Sequence, residues 1–298
     1  MKILLIGSKG FIGSHAFRSL SEDHEVWGCD VVTDYVTPRY VQVDATNADF
    51  KEIFQAHTFD ACLNCAGAAS VPDSFHSPFR DITLNTLLVA KILEAIRLHG
   101  KKCKFVNMSS AAVYGNPIHL PIKEHIPLHP LSPYGYHKKY AEEIVKEYAI
   151  FFEVACCSLR PFSVYGPGLR KQLFWDLHTK VQASSHIELW GTGEESRDFI
   201  YVEDVVNVLR CVLKNGLFKG ECINVANGKE ITIRETVSCF QEVYFKPFTF
   251  SFGGQKREGD PLNWEADITT LIALGYIPTT NLKQGLTYLA EWLRLERK

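Results

Sequence analysis

Lys2-Ile3-Leu4-Leu5-Ile6-Gly7-Ser8-Lys9-Gly10-Phe11-Ile12-Gly13 opens the chain, and the reading of this stretch decides the fold. The apolar run Ile3 to Ile6 reads as a buried strand, the three glycines as a tight turn, and Ser14 to Leu20 as the body of a helix. Strand, glycine turn and helix make a dinucleotide fingerprint. Gly7 permits the turn, Gly10 lets a pyrophosphate approach the backbone, and Gly13 lets the helix lie close on the strand. Phe11 and Ile12, within this turn, are expected at the cofactor too, and the N-terminus of the helix that follows faces the anion. A second strand, Glu25-Val26-Trp27-Gly28-Cys29-Asp30, ends in an acid about twenty residues downstream, where a carboxylate accepts the adenosine ribose hydroxyls. Asp30 there would repel a 2′-phosphate, favouring NAD over NADP; the plainer reading is that Asp30 merely begins a loop.

Outward from this stretch, apolar strand runs near 2–7, 25–30, 40–43, 59–64, 103–109 and 154–160 alternate with helical stretches. That rhythm predicts an α/β chain: a Rossmann-type doubly wound parallel sheet with its site at the carboxyl ends of the strands, where the glycine turn, Ala66 and Ser110 fall. From Phe162 the rhythm breaks, and Pro167, Gly168, Gly191 and Gly193 punctuate shorter pieces. The expected division is a dinucleotide-binding domain over 1–161, to which 199–226 returns with helix 203–214 and strand Cys222-Ile223-Asn224-Val225. A smaller α/β substrate-binding lobe at the C-terminal side takes 162–198 and 227–298 and ends on helix 282–297.

A second constellation carries chemistry. Ser109-Ser110-Ala111-Ala112-Val113-Tyr114-Gly115 is followed by Ser132-Pro133-Tyr134-Gly135-Tyr136-His137-Lys138, and the Tyr-x-x-x-Lys spacing puts Tyr134 and Lys138 on one helical face. An ammonium about 4 Å from a phenolate contributes up to roughly 4 kcal/mol at an effective dielectric near 20. At about 1.36 kcal/mol per pKa unit, a tyrosine that starts near 10 is expected to approach neutrality and serve as a general base. Ser110 would donate a hydrogen bond to the same oxygen or to a substrate hydroxyl. By itself the Tyr-x-x-x-Lys pattern also arises by chance on amphipathic helices; its weight comes from the fingerprint upstream.

Taken together, these motifs resemble the extended short-chain dehydrogenase/reductase family, in its nucleotide-sugar epimerase and dehydratase branch, nearly from end to end. The resemblance implies NAD as cofactor and a catalytic set of Ser110, Tyr134 and Lys138, the last two also touching the cofactor. It places Asp44-Ala45 at the adenine, and Cys65, Ala66 and Gly67 of the run Asn64–Val71 along the cofactor; Asn85 and Pro161 stand at cofactor positions too. Substrate positions carried over are Ser110, Ala111, Tyr134, Ser163, Arg197, Arg257 and Asp260, within the segments Arg160–Gly168, Gly191–Asp204 and Arg257–Pro261. A nucleoside diphosphate is a dianion that planar guanidinium groups can fork, so Arg197 and Arg257 read as pyrophosphate clamps. The alternative is surface pairing, Arg197 with Asp198 or Glu195 and Arg257 with Glu258 or Asp260; Asp260 could instead orient a clamp or bind ribose. Ser163 stands where many sugar epimerases have an asparagine.

Absences narrow the reaction. Nucleotide-sugar 4,6-dehydratases carry an Asp-Glu pair directly after the catalytic hydroxyl residue, and 3,5-epimerase/reductases a cysteine; here Ala111 and Ala112 follow Ser110. The chemistry left is oxidation and re-reduction at C4 of an NDP-hexose, with a UDP-hexose expected. A net NAD(P)-dependent 4-ketosugar reductase or dehydrogenase is the alternative, and an idle NAD-binding sensor or scaffold a further one.

The chain has 298 residues and a net charge of −2, and shows no basic run, so nucleic acid is not an expected partner. No stretch approaches 18 consecutive apolar residues and no leader pattern stands at the N-terminus, so the expectation is a soluble, cytoplasmic protein that does not engage a membrane. Nine scattered cysteines suit reduced, buried thiols; Cys62-x-x-Cys65 lacks a second ligand pair, strand alternation sends its two thiols to opposite faces, and no metal is expected. The eleven histidines form no ligand spacing. Helices 78–99 and 134–151 carry more apolar surface than one sheet-facing stripe requires, and the family commonly pairs these helices with their copies, so a homodimer is expected; a deeply covered helix pair in a single chain is the alternative.

Overall fold

The computed structural model describes residues 1–44, 47–255, 259 and 261–296. Its strands are β1 (Lys2–Ile6), β2 (Glu25–Asp30), β3 (Tyr40–Gln42), β4 (Ala61–Asn64), β5 (Lys104–Met108), β6 (Cys156–Pro161), β7 (Ser163–Tyr165), β8 (His186–Leu189), β9 (Ser196–Tyr201), β10 (Lys219–Val225), β11 (Glu230–Thr232) and β12 (Thr249–Phe252). Seven of them form one sheet in the order β10-β6-β5-β4-β1-β2-β3, every neighbouring pair parallel. The strand order reverses between β1 and β4, and the crevice at such a switch point is where parallel sheets bind ligands. Strands buried on both faces need apolar side chains at successive positions, which is why Ile3-Leu4-Leu5-Ile6 is continuous rather than alternating.

Both faces are covered. Helices Phe11–Leu20 and Val202–Asn215 close one core against Ile3, Leu5, Leu63, Val106 and Leu159. Helices Lys51–Ala56, Leu88–His99 and Pro133–Phe152 close the other against Leu4, Ile6, Cys62 and Phe105. β10 adds beside β6 after the chain has passed through β7, β8 and β9. A third, aromatic-rich core lies under β7 and β9, where Phe199 of β9 meets Phe174, Leu177, Phe240 and Leu286 from helices Gln172–Ala183, Ile233–Val243 and Leu282–Leu295. β11, β9 and β7 form a three-stranded sheet there, and β12 pairs with β8.

The expected single helix over 78–99 is interrupted. Pro78–Ile82 leads into a π-helical turn, Thr83–Leu87, before the α-helix resumes at Leu88. A π-turn inserts one residue without changing the apolar character of the face, so hydrophobic spacing does not reveal it. Asn85 sits inside that turn.

Candidate active site

The candidate catalytic floor is built by one strand end and one helix start. β5 delivers Ser109 and Ser110, and the Ser110 hydroxyl accepts from Ala112 N at 3.2 Å, starting a 3-10 turn over Ala111–Val113. Ser132 caps the helix Pro133–Phe152 by accepting from Gly135 N at 3.2 Å, with Pro133 at its first position. Tyr134 therefore lies in the first turn and Lys138 one turn on, with 8% and 6% of their surfaces exposed. Behind them, Arg160 forks Glu142 through Nε–Oε1 at 2.9 Å and Nη2–Oε2 at 2.7 Å, and Ser109 donates to Glu142 Oε1 at 2.5 Å. Arg160 also donates to the Tyr114 hydroxyl at 2.7 Å, and Tyr114 to Asn224 Oδ1 at 2.6 Å. Sequence reasoning gave this network no role; its one signal was an arginine inside the otherwise uncharged strand Cys156–Pro161, where a buried charge must find a partner.

The electrostatics correct one expectation. Lys138 Nζ lies 5.8 Å from the Tyr134 ring centre and donates instead to Met108 O at 2.8 Å. Burial pushes the Tyr134 hydroxyl up to about 12; the hydrogen bond with Ser110 pulls the other way, and the Asp81 carboxylate adds to the rise. Burial also lowers Lys138 to about 8, opposed by Asp81 and Glu142. Pairwise attraction alone suggested a phenol near neutrality; desolvation outweighs it because both groups are out of water. Ser110 lies within hydrogen-bonding reach of the Tyr134 phenol, one of the two partners expected for it. Asp81 also holds His137 Nδ1 at 2.6 Å, which engages the histidine between Tyr134 and Lys138.

The cofactor wall fits a dinucleotide. Gly7 has φ +80°, and a Cβ there would stand 2.5 Å from Ala66 N; at Gly13 it would stand 2.0 Å from Gly7 O. The glycine turn thus tolerates no side chain at either place, and Gly10, between them, is open to solvent. Asp30 ends β2 with its carboxylate on this turn, accepting from Lys9 N and Val31 N at 2.8 Å each. Phe11 stacks edge-on against His15 at 5.7 Å, and Ile12 packs into the core below. At the inner end, a Cβ on Gly67 would meet Asn85 Oδ1 at 2.6 Å and Lys138 Nζ at 3.4 Å. Both polar atoms of the buried Asn85 amide are without a hydrogen-bond partner among the described residues. Orphaned donors and acceptors beside a cradle of glycines are what a polar ligand along this wall would satisfy.

Cys65 is half-buried with its thiol pushed up to about 12 by burial, and it packs on the face opposite Cys62. Pro161 closes β6 beside Val225. Asp44 is exposed and accepts from Asn47 N at 2.8 Å; Ala45 lies outside the described residues.

Between this wall and the lobe opens a pocket of about 940 Å³. Ser110, Tyr134, Ser163 and Arg197 line it, together with Ala112, Phe174, Trp190, Phe199 and Trp264. Ala111, expected to face the substrate, is fully buried beside Val113 and Tyr114, because the 3-10 turn rotates residue 111 inward and 112 outward. Arg197 Nη1 donates to Ser196 O at 2.8 Å and Leu262 O at 3.2 Å, and its guanidinium lies 5.7 Å from the Trp264 ring centre. The two acids weighed as its surface partners bind backbone instead. Asp198 accepts from Asn227 N, Lys229 N and Ala266 N at 3.0–3.1 Å, and Glu195 from Thr192 N and Gly193 N at 3.0–3.1 Å. Arg257 and Asp260 lie outside the described residues. Sequence reasoning passed over Lys171, which lines the pocket and donates to Ala69 O at 3.1 Å across from the cofactor wall; a lone lysine in a loop carries no periodic or spacing signal.

A profile described as the NAD dependent epimerase/dehydratase family matches residues 3–226. A putative UDP-glucose 4-epimerase of Methanocaldococcus jannaschii is 29% identical, with 98% of each chain covered. An uncharacterised UDP-glucose epimerase of Bacillus subtilis is 30% identical, with 96% of each covered. Among solved structures, a UDP-glucuronic acid 4-epimerase from Bacillus cereus, in complex with UDP-glucuronic acid and NAD, superposes with a TM-score of 0.90 at 27% identity, covering 99% of this chain and 100% of that one.

Proposed function

Because this chain belongs to the NAD-dependent epimerase/dehydratase family, we propose that it interconverts the C4 epimers of a nucleotide hexose, with a UDP-hexose as the expected substrate, through a 4-keto intermediate. The observation that carries the reading is Ser110 and Tyr134 lining a pocket of about 940 Å³, with the buried Lys138 one helical turn beyond Tyr134 and Ala112 rather than an acid beside them. Tyr134 Oη takes the C4 hydroxyl proton and later gives it back, Ser110 hydrogen-bonds that oxygen, and Lys138, held on Met108 O, stands one helical turn away; burial raises the free phenol, so its ionisation depends on the positive charge the cofactor would bring. When bound, NAD supplies the hydride acceptor and donor and a positive charge beside the phenol. Gly7, Gly10, Phe11, Ile12, Gly13, Asp30, Asp44, Ala45, Cys65, Ala66, Gly67, Asn85 and Pro161 would hold it, and Ser163, Arg197, Arg257 and Asp260 the nucleotide sugar.

Net redox is zero, so the cofactor need not leave between turnovers. The test is incubation of the purified protein with a panel of nucleotide sugars, following anomeric protons by NMR. Interconversion at C4 without added NADH is expected; no interconversion in any member, or turnover only with stoichiometric NADH, overturns it.

We further propose the division into 1–161 with 199–226, and 162–198 with 227–298, because the large sheet takes β10 back after β7 to β9. Pairing with a second copy through 78–99 and 134–151 is supported by Phe79, Ile150 and Phe151, which are 80%, 57% and 74% exposed on those segments. Sedimentation should give the dimer mass for the native protein and the monomer mass for Phe151→Asp. A cytoplasmic location is supported by nine cysteines, all free. Among the described residues no helix is long and apolar enough to cross a membrane.

A further inference from the structure

Lys9 stands between the first two glycines of the fingerprint, at a position to which the fingerprint gives no role. Its backbone amide donates to Asp30 Oδ2 at 2.8 Å, which fixes its Cα beside the carboxylate read as the ribose acceptor. The side chain leaves that corner. Nζ forms an ion pair with Asp34, donates to Thr37 Oγ1 at 3.2 Å, and stands 5.1 Å from the Tyr40 ring centre.

Asp34 is organised to keep it there. Its Oδ1 accepts from Val36 N at 2.7 Å and Thr37 N at 2.9 Å, and the Thr37 hydroxyl donates to Oδ2. The Tyr40 hydroxyl donates to Val32 O, so the segment between β2 and β3 is folded around the pair. With the Lys9 ammonium first among the causes, the Asp34 carboxyl is held well below the usual carboxylate range. A lysine whose backbone is fixed at the ribose corner, and whose ammonium sits on a flexible four-carbon stem, is a point-charge ligand for phosphate.

We infer that Asp34 is a positioning residue for coenzyme choice: it detains the Lys9 ammonium so that this cation does not offset Asp30 at the ribose corner. The preference for NAD over NADP then rests on two acids, Asp30 acting on the ribose and Asp34 acting through Lys9. The inference depends on the reading of this wall as an NAD site.

Dissociation constants of NAD and NADP, measured by calorimetry on the intact protein and its variants, test it. Asp34→Ala should lower the ratio Kd(NADP)/Kd(NAD) at least tenfold, and the isosteric Asp34→Asn should do the same without removing the side chain's volume. Adding Lys9→Ala to either variant should restore the original ratio, whereas Lys9→Ala alone should move it less than threefold, that cation being already withdrawn. A ratio within threefold of the native value in both Asp34 variants, or a gain that survives loss of Lys9, overturns the inference. If the native protein binds neither dinucleotide, the proposed function falls and this refinement with it.

Discussion

The pocket has two walls made by different rules. On the proposed catalytic wall, Ser110 follows one strand, Tyr134 and Lys138 share one helix, and a buried network of Arg160, Glu142, Ser109 and Tyr114 braces the junction between them. On the lobe wall, Ser163, Lys171, Trp190, Arg197 and Trp264 come from separate segments spread over a hundred residues and meet at loop ends. Where one secondary-structure element sets the distances, a short motif is enough to specify the chemistry. Where tertiary packing sets them, the same number of residues specifies very little.

The contrast can be broken most sharply at Tyr134. Tyr134→Phe removes the proton acceptor while leaving the ring in place, and should cut turnover by about a thousandfold, within the range for a lost general acid–base group. Calorimetry should show nucleotide-sugar affinity within about threefold of native, since a loss confined to turnover marks an interaction made in the transition state. Turnover within tenfold of native would move the chemistry elsewhere.

Next in size is the brace. Arg160 and Glu142 are 4% and 3% exposed at their side chains, so Arg160→Met alone strands a buried carboxylate and should cost about 3–5 kcal/mol in urea unfolding. Replacing both partners, Arg160→Met with Glu142→Leu, should cost less than the single change.

Lys138 sharpens the comparison through pH. Its folded value, about 8, lies below its ordinary value of 10.5, so between those two pH values the unfolded chain holds more protons and stability rises with pH. Relative to Lys138→Met, the native protein should gain on the order of 3 kcal/mol across that window, with turnover falling as the cation is lost; parallel stability curves would refute the burial argument.

On the lobe wall the effects should be smaller and should fall on binding. Arg197→Lys keeps the charge but loses the fork, and should raise KM about tenfold with kcat within about threefold. A matching fall in kcat would make Arg197 part of the catalytic wall.

The same division explains what was legible in the residues. The strands of the large sheet and the Ser110, Tyr134, Lys138 set follow from apolar runs and fixed spacing. The π-turn at Asn85 does not, because an inserted residue leaves the apolar face intact. The orientation of Ala111 and Ala112 depends on a three-residue turn, and Lys171 reaches Ala69 only after the two walls are assembled. The depressed phenol expected for Tyr134 failed for a different reason: attraction between two groups was weighed without the cost of taking both from water.

β6 has a neighbour on its outer side only because the chain goes away to build β7, β8 and β9 and then comes back as β10. A polypeptide ended after Pro161 would therefore present Cys156-Cys157-Ser158-Leu159 as a bare, sticky margin, a template for self-association rather than a finished half. The threading makes the large sheet hostage to the segment that leaves it: cutting the chain at that point would remove a strand the sheet needs.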